Sequence, residues 1–286
     1  MKSKSNVITI IFTNADDIEY ILGNILPSII IYSTAEIKYI MSVATIKLAN
    51  VEQICSKVWR VMGCNPGINT LQGTNTYLIG GGSRRCLIDT GESNNDQYIT
   101  NLTKLLLTEN ASIDKVIITH KHRDHIGGLA RIQQLYLDVT AYKYVDETET
   151  LGFQNQKEYV INHRLQDNEL IAIDKDITLQ CIYTPGHSVD HICLLCVEDG
   201  TLYTGDCVLG DTTVVFENLE AYMNSLNRLM SYKINRLCPG HGQVINGQQA
   251  TKRIQEYILH RNSRNEQILR VLNERGPQAL AEQCPS

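Results

Sequence analysis

The sequence predicts an α/β fold. From Val58 onward, short β-branched runs alternate with turns and with stretches whose apolar residues recur at helical spacing, the pattern of strands interleaved with amphipathic helices. Hydrophobic residues make up 43% of the 286 and charged residues 20%, enough apolar surface for a buried core. Disorder, a collagen-like chain and a coiled coil are thereby excluded. A third observation adds chemistry to this frame: five of the eight histidines fall in short strings that directly follow apolar runs.

Residues 1–45 are expected to form an extension outside the core. Ile29, Ile30 and Ile31 belong to an apolar run that Pro27 and Ser28 interrupt, too short to span a bilayer. Asp16, Asp17 and Glu19 argue against a transit peptide, and Met41 is as good a starting residue as Met1. The core domain is expected over 46–275. Within it Thr76-Tyr77-Leu78-Ile79 and Arg85-Cys86-Leu87-Ile88 read as strands joined by Gly80-Gly81-Gly82-Ser83. This glycine run matches no phosphate-loop spacing and leads into a strand, so it reads as a hairpin turn. Ile99, Leu102, Leu105 and Leu106 predict a helix over 97–107. Val116-Ile117-Ile118-Thr119 is a short buried strand, and Gly127-Gly128-Leu129 opens a second helix. Strands follow at Thr178–Tyr183, His191–Val197 and Thr201–Thr204. Helices are expected at 217–231 and 249–273, the latter with Ile254, Ile258, Ile268 and Leu272 facing inward. Residues 276–286 are read as a short tail.

A net charge of −5 argues against a broadly basic nucleic-acid coat, though a local groove stays open. Nine cysteines without framework spacing or a secretory leader read as free thiols in a reducing compartment. Cys193-Leu194-Leu195-Cys196 has zinc-knuckle spacing but no second pair, and is read as core packing.

The string with most chemical content is Thr119-His120-Lys121-His122-Arg123-Asp124-His125. In an extended segment residues i and i+2 point the same way, so His120 and His122 can grip one ion together. Asp124 and His125, at the turn into the next helix, can reach a second ion beside it. Imidazole and carboxylate are ligands that zinc accepts. The rival reading, a polar surface loop, fits poorly with three histidines and an aspartate in six residues. Further ligand types follow later strands: Thr184-Pro185-Gly186-His187, Gly205-Asp206, and Pro239-Gly240-His241-Gly242. Each is weak alone, and together they complete what one cluster cannot. Cys207, beside Asp206, is read as packing because neighbours on a strand point to opposite faces.

This constellation resembles the metallo-β-lactamase fold superfamily. The resemblance implies an αββα sandwich of two mixed β-sheets flanked by helices. It implies two divalent metal ions, with zinc the first choice and manganese or iron the alternatives. The first would take His120, His122 and His187, and the second Asp124, His125 and His241, with Asp206 bridging them. Leu87-Ile88-Asp89-Thr90-Gly91 matches the family's earliest motif, in which the aspartate holds ligand geometry from behind. A helix cap or turn is the other reading of Asp89. A bridged ion pair activates a water between its members as nucleophile and polarises a phosphoryl or carbonyl oxygen, which makes Asp124 and Asp206 the catalytic residues.

Spacing narrows the activity. The 35 residues from Asp206 to His241 leave no room for the inserted domain of the RNA-processing β-CASP nucleases. The 19 from His187 to Asp206 leave none for the protruding arm of transfer-RNA 3′-processing enzymes. Antibiotic-hydrolysing members usually lack the bridging aspartate. Gly63-Cys64-Asn65-Pro66-Gly67, Thr70-Leu71-Gln72-Gly73-Thr74-Asn75-Thr76-Tyr77, Tyr222-Met223-Asn224-Ser225-Leu226 and His260-Arg261-Asn262 resemble RNA-cleaving mitochondrial members of the glyoxalase II group. That resemblance covers about 58–272. It implies an endoribonuclease acting on single-stranded RNA in the mitochondrial matrix, with the cytosol as the alternative, no membrane and a monomer as the favoured assembly. Asn75 and Tyr77 would line the substrate mouth or pack the hairpin. The group continues into a winged-helix-like domain that these residues do not include, so weaker RNA affinity is expected. The alternatives are a glyoxalase II-like thioester hydrolase and a non-catalytic scaffold, the latter disfavoured by the full set of seven ligand positions.

Overall fold

The structure, a computed structural model, describes residues 47–146 and 159–275. The expectations for residues 1–45 and 276–286 fall outside the described residues. The first strands are β1 (Val51–Cys55), β2 (Val58–Met62), β3 (Asn75–Ile79) and β4 (Arg84–Ile88), followed by α1 (Asp96–Thr108) and β5 (Ser112–Ile118). Then come the one-turn helix α2 (Arg123–Ile126), α3 (Leu129–Leu135), β6 (Thr140–Tyr144) and β7 (His163–Leu165). The second half holds β8 (Leu170–Asp174), β9 (Ile177–Tyr183), β10 (Ile192–Cys196), β11 (Thr201–Gly205), α4 (Leu219–Leu229), β12 (Arg236–Pro239), β13 (Ile245–Asn246) and α5 (Gln248–Arg275).

Seven strands form one sheet in the order β1-β2-β3-β4-β5-β6-β7, and six form another in the order β13-β12-β11-β10-β9-β8. Both are mixed. β1 to β4 pair antiparallel and β4 to β7 parallel. In the second sheet only β11 and β12 run parallel. The hairpin reading of the glycine run holds, with Ile79 opposite Cys86.

Three apolar layers follow. Between the sheets, Tyr77, Ile79, Ile88 and Ile117 pack against Leu179, Cys181, Leu194 and Tyr203. Alternate residues of the same strands turn outward: Leu78, Leu87, Val116 and Ile118 cover Tyr98, Leu102 and Leu106 of α1 and Leu129 and Ile132 of α3. Ile182, Cys193, Leu195 and Leu202 likewise meet Tyr222, Leu226 and Leu229 of α4 and Ala250 and Ile254 of α5. The result is helix, sheet, sheet, helix, with period-2 alternation supplying apolar side chains to both faces of each sheet. Cys193 and Cys196 are buried in these layers, and the eight described cysteines are free thiols.

One expectation is corrected. Ile254 is buried and Ile258 and Leu272 partly so, but Ile268 is 51% exposed. Helical spacing marks an apolar stripe and does not supply a surface to cover it. The compact unit to which the sandwich belongs ends at Ile258, and the described turns of α5 from Leu259 onward are grouped outside it. No described helix is long and apolar enough to cross a membrane.

Candidate metal centre

All seven predicted ligand positions lie at strand ends or in the turns that follow them. β5 ends at Ile118 and the chain continues extended through Thr119 to His122, whose backbone caps α2. Asp124 and His125 occupy the single turn of that helix. His187 follows β9, Asp206 follows β11 and His241 follows β12. Two glycines set the approach of these turns. Gly186 has φ +132°, and a Cβ there would lie 2.4 Å from the Tyr222 backbone of α4. At Gly240 a Cβ would lie 2.3 Å from Asp206 Oδ1.

The ligand atoms gather in two groups, His120, His122, His187 and Asp206 in one and Asp124, His125 and His241 in the other, each within 4.8 Å. In the first, His120 Nε2 lies 3.0 Å from His122 Nδ1, His187 Nε2 2.9 Å from His122 Nδ1, and the two Nε2 atoms 3.3 Å apart. Three nitrogens bound about 2.0–2.1 Å from one tetrahedral ion would be separated by about 3.3 Å. In the second group Asp124 Oδ2 is 3.2 Å from both His125 Nε2 and His241 Nε2. Asp206 faces both groups, with Oδ2 3.7 Å from His187 Nε2 and 3.3 Å from His241 Nε2, and Oδ1 3.4 Å from His125 Nε2.

Hydrogen bonds behind the imidazoles decide which nitrogen faces inward. Asp89 Oδ2 lies 2.7 Å from His125 Nδ1, and a carboxylate can only accept, so Nδ1 carries the proton and Nε2 points at the centre. Thr119 donates its hydroxyl to Asp89 Oδ2 at 2.8 Å, and so accepts from His120 Nδ1 at 2.9 Å. His187 Nδ1 donates to the Val215 carbonyl at 2.6 Å, and His241 Nδ1 faces the Gly73 carbonyl at 3.5 Å. Four histidines thus present Nε2, and His122 presents Nδ1. Asp89 also accepts from the Thr119 backbone N–H at 2.8 Å and holds φ +57°, a conformation uncommon outside glycine that aspartate tolerates better than most residues.

The fit to metal ions rests on orphaned atoms. His125 Nε2 and Asp206 Oδ1 are buried without a partner in hydrogen-bond geometry, a costly arrangement for polar atoms unless a cation joins them. The charge balance points the same way. Burial and the neighbouring histidines push His120 well below the usual imidazole range, and burial with His187 lowers His122. At His125 and His241 burial is outweighed, chiefly by Asp206, which raises His241 to about 9 and His125 well above its ordinary value. Asp206 and Asp124 are held below the usual carboxylate range, because their histidine neighbours overcome the cost of burial. The carboxylates that favour a proton on His125 and His241 are the same groups that would draw a cation.

Sequence reasoning missed several residues that hold this arrangement. His191 is fully buried; its Nε2 accepts from the Asp206 N–H at 3.1 Å and its Nδ1 meets Thr184 Oγ1 at 2.9 Å. The sequence marks it as the first residue of a strand, and a histidine directly before an unbroken apolar run is the signal that could have found it. Thr74 donates to Asp124 Oδ2 at 2.9 Å. Lys143 of β6 pairs with Asp190, in a fully buried ion pair that ties the first sheet to the loop carrying His187. Asn75 and Tyr77 do not line a mouth. Both are buried; the Asn75 amide donates to the Pro239 and Gly242 carbonyls at 3.0 and 2.9 Å, and the Tyr77 hydroxyl to Pro239 at 2.8 Å. They brace the turn that carries His241. Cys207 packs in the core as expected, for a different reason: β11 ends at Gly205, and Cys207 N–H closes a turn on the Thr204 carbonyl.

The sequence profile of the metallo-beta-lactamase superfamily matches residues 69–241. The chain is 41% identical to the Beta-lactamase-like protein 2 homolog of Drosophila melanogaster over 228 residues, 79% of this chain and 77% of that one. Identity to the protein of the same name in Caenorhabditis elegans is 40%, covering 78% and 74%. The Atrochrysone carboxyl ACP thioesterase of Cryptosporiopsis is 36% identical over 79% of this chain and 66% of its own length. In fold the chain is similar to a metallo-beta-lactamase family protein from Thermus thermophilus, with TM-score 0.62, 19% identity and coverage of 77% and 84%.

Proposed function

The chain belongs to the metallo-beta-lactamase superfamily, and on that footing we propose that it is a binuclear metal-dependent hydrolase cutting single-stranded RNA. The observation that carries the hydrolase reading is the pair of ligand groups with Asp206 facing both, four of whose imidazoles turn Nε2 inward with Nδ1 held from behind. RNA as substrate is supported by the segments at 63–67, 70–77, 222–226 and 260–262, which resemble RNA-cleaving members. Two relatives at 41% and 40% identity share the name Beta-lactamase-like protein 2 homolog.

Divalent ions held here would supply an electrophile for the scissile phosphate and a water activated at neutral pH. His120, His122 and His187 would hold one and Asp124, His125 and His241 the other, with Asp206 between. Asp124, partly exposed and accepting from Thr74, would take the proton of the attacking water. Asp206, with its backbone N–H bound by His191, keeps its carboxylate between the two groups.

Thioester hydrolysis is the second reading, favoured by the thioesterase names of the Cryptosporiopsis relative and of one from Emericella nidulans. Zinc- or manganese-loaded protein is expected to cleave unstructured RNA, and His122→Ala or chelation to abolish cleavage. Turnover of S-lactoylglutathione with none of RNA would transfer the assignment to the thioesterase.

A further inference from the structure

We infer that Arg123 is the residue that binds the backbone phosphate next to the scissile bond, so that the enzyme reads its RNA as a polyanion rather than as an isolated phosphodiester. The inference rests on the RNA reading of the site. Arg123 stands between His122 of the first ligand group and Asp124 of the second. Its backbone opens α2, whose turn is fixed by hydrogen bonds from His125 N–H and Ile126 N–H to the His122 carbonyl. The backbone of this residue is thereby held between the two ligand groups.

Its side chain is exposed while those on either side turn inward as ligands. Among the described residues Arg123 forms no ion pair and no side-chain hydrogen bond. Lys121, two residues earlier, differs: its ammonium faces Glu217 at 3.4 Å and is partly neutralised there. A long, fully charged side chain held at a rigid backbone position, with no carboxylate of its own, is suited to an anion that arrives with the substrate. The planar guanidinium donates two parallel N–H groups, which match two phosphate oxygens. In single-stranded RNA such an anion lies one nucleotide from the reacting phosphate, whatever the base. That fits a cut without base readout, since phosphate contacts position and carry no sequence information.

The test pairs a charge deletion in the enzyme with one in the substrate, using metal-loaded full-length protein and a short oligoribonucleotide with one cleavable linkage. Arg123→Ala should raise KM about tenfold with kcat little changed, lower the salt dependence by about one phosphate contact, and leave the thermal midpoint unaltered. Arg123→Lys should recover part of the loss. A neutral methylphosphonate at a linkage adjoining the scissile one should cost the wild type the same factor, on one side of the cut, and cost Arg123→Ala nothing further. Independent, multiplying losses at both adjoining linkages would overturn the inference, as would an unchanged KM and salt slope in Arg123→Ala. Failure of the wild type to cleave the unmodified oligonucleotide would instead overturn the RNA reading beneath it.

Discussion

Asp89 touches no predicted ion position, yet it fixes the tautomer of His125 directly and that of His120 through the Thr119 hydroxyl. Removing it frees two imidazoles to rotate and leaves the Thr119 N–H unpaired. Asp89→Ala is expected to weaken metal binding about 10–100-fold, measured by competition against a chromophoric chelator. Unchanged affinity would reduce Asp89 to a turn residue, the other reading its sequence allowed. His241 sets a pH dependence. Its pKa, raised to about 9 in the metal-free centre because Asp206 and Asp124 outweigh burial, means that a proton competes with the ion below that pH. Apparent metal affinity should therefore rise with pH up to about 9, and zinc uptake at pH 7 should release protons. Calorimetry in buffers of different ionisation enthalpy counts them. No proton release at pH 7 would contradict the raised pKa of His241.

At the scale of elements, the candidate ligands meet because turns after β5, β9, β11 and β12 converge, and each turn is braced from another element. Gly186 shows how little latitude this leaves: its φ of +132° and its contact with the α4 backbone both exclude a side chain. Gly186→Ala should destabilise the fold by about 1–3 kcal/mol and displace His187. The expected result is a lower urea midpoint together with loss of bound metal, read by elemental analysis. Much of this layer was legible in the sequence. Strand and helix positions came from local periodicity, so the 97–107 helix and the glycine hairpin were recovered closely. Ile268 was misplaced for the same reason, since spacing along one helix does not reveal whether another surface covers it.

For the whole molecule, the centre is a cross-link between two sheets. His120, His122, Asp124 and His125 depend on the seven-stranded sheet, and His187, Asp206 and His241 on the six-stranded one. Ions that bind this folded arrangement and not the unfolded chain must stabilise it, by about 2.7 kcal/mol at a hundredfold excess over Kd. Chelation should accordingly lower the melting temperature and zinc should restore it, as read by calorimetry; an indifferent melting temperature would mean that the sheets hold the seven side chains without help. The sequence by itself determined the fold class and the places of the candidate ligands at strand ends, because these are written in patterns a few residues long. Only the tertiary structure decided which imidazole nitrogens face the centre, that His191 anchors Asp206, and that Asn75 and Tyr77 brace the His241 turn. The physical reason is range: the Asn75–Pro239 bond joins residues 164 apart in the chain, and no local pattern encodes such a pairing before the sheets have packed.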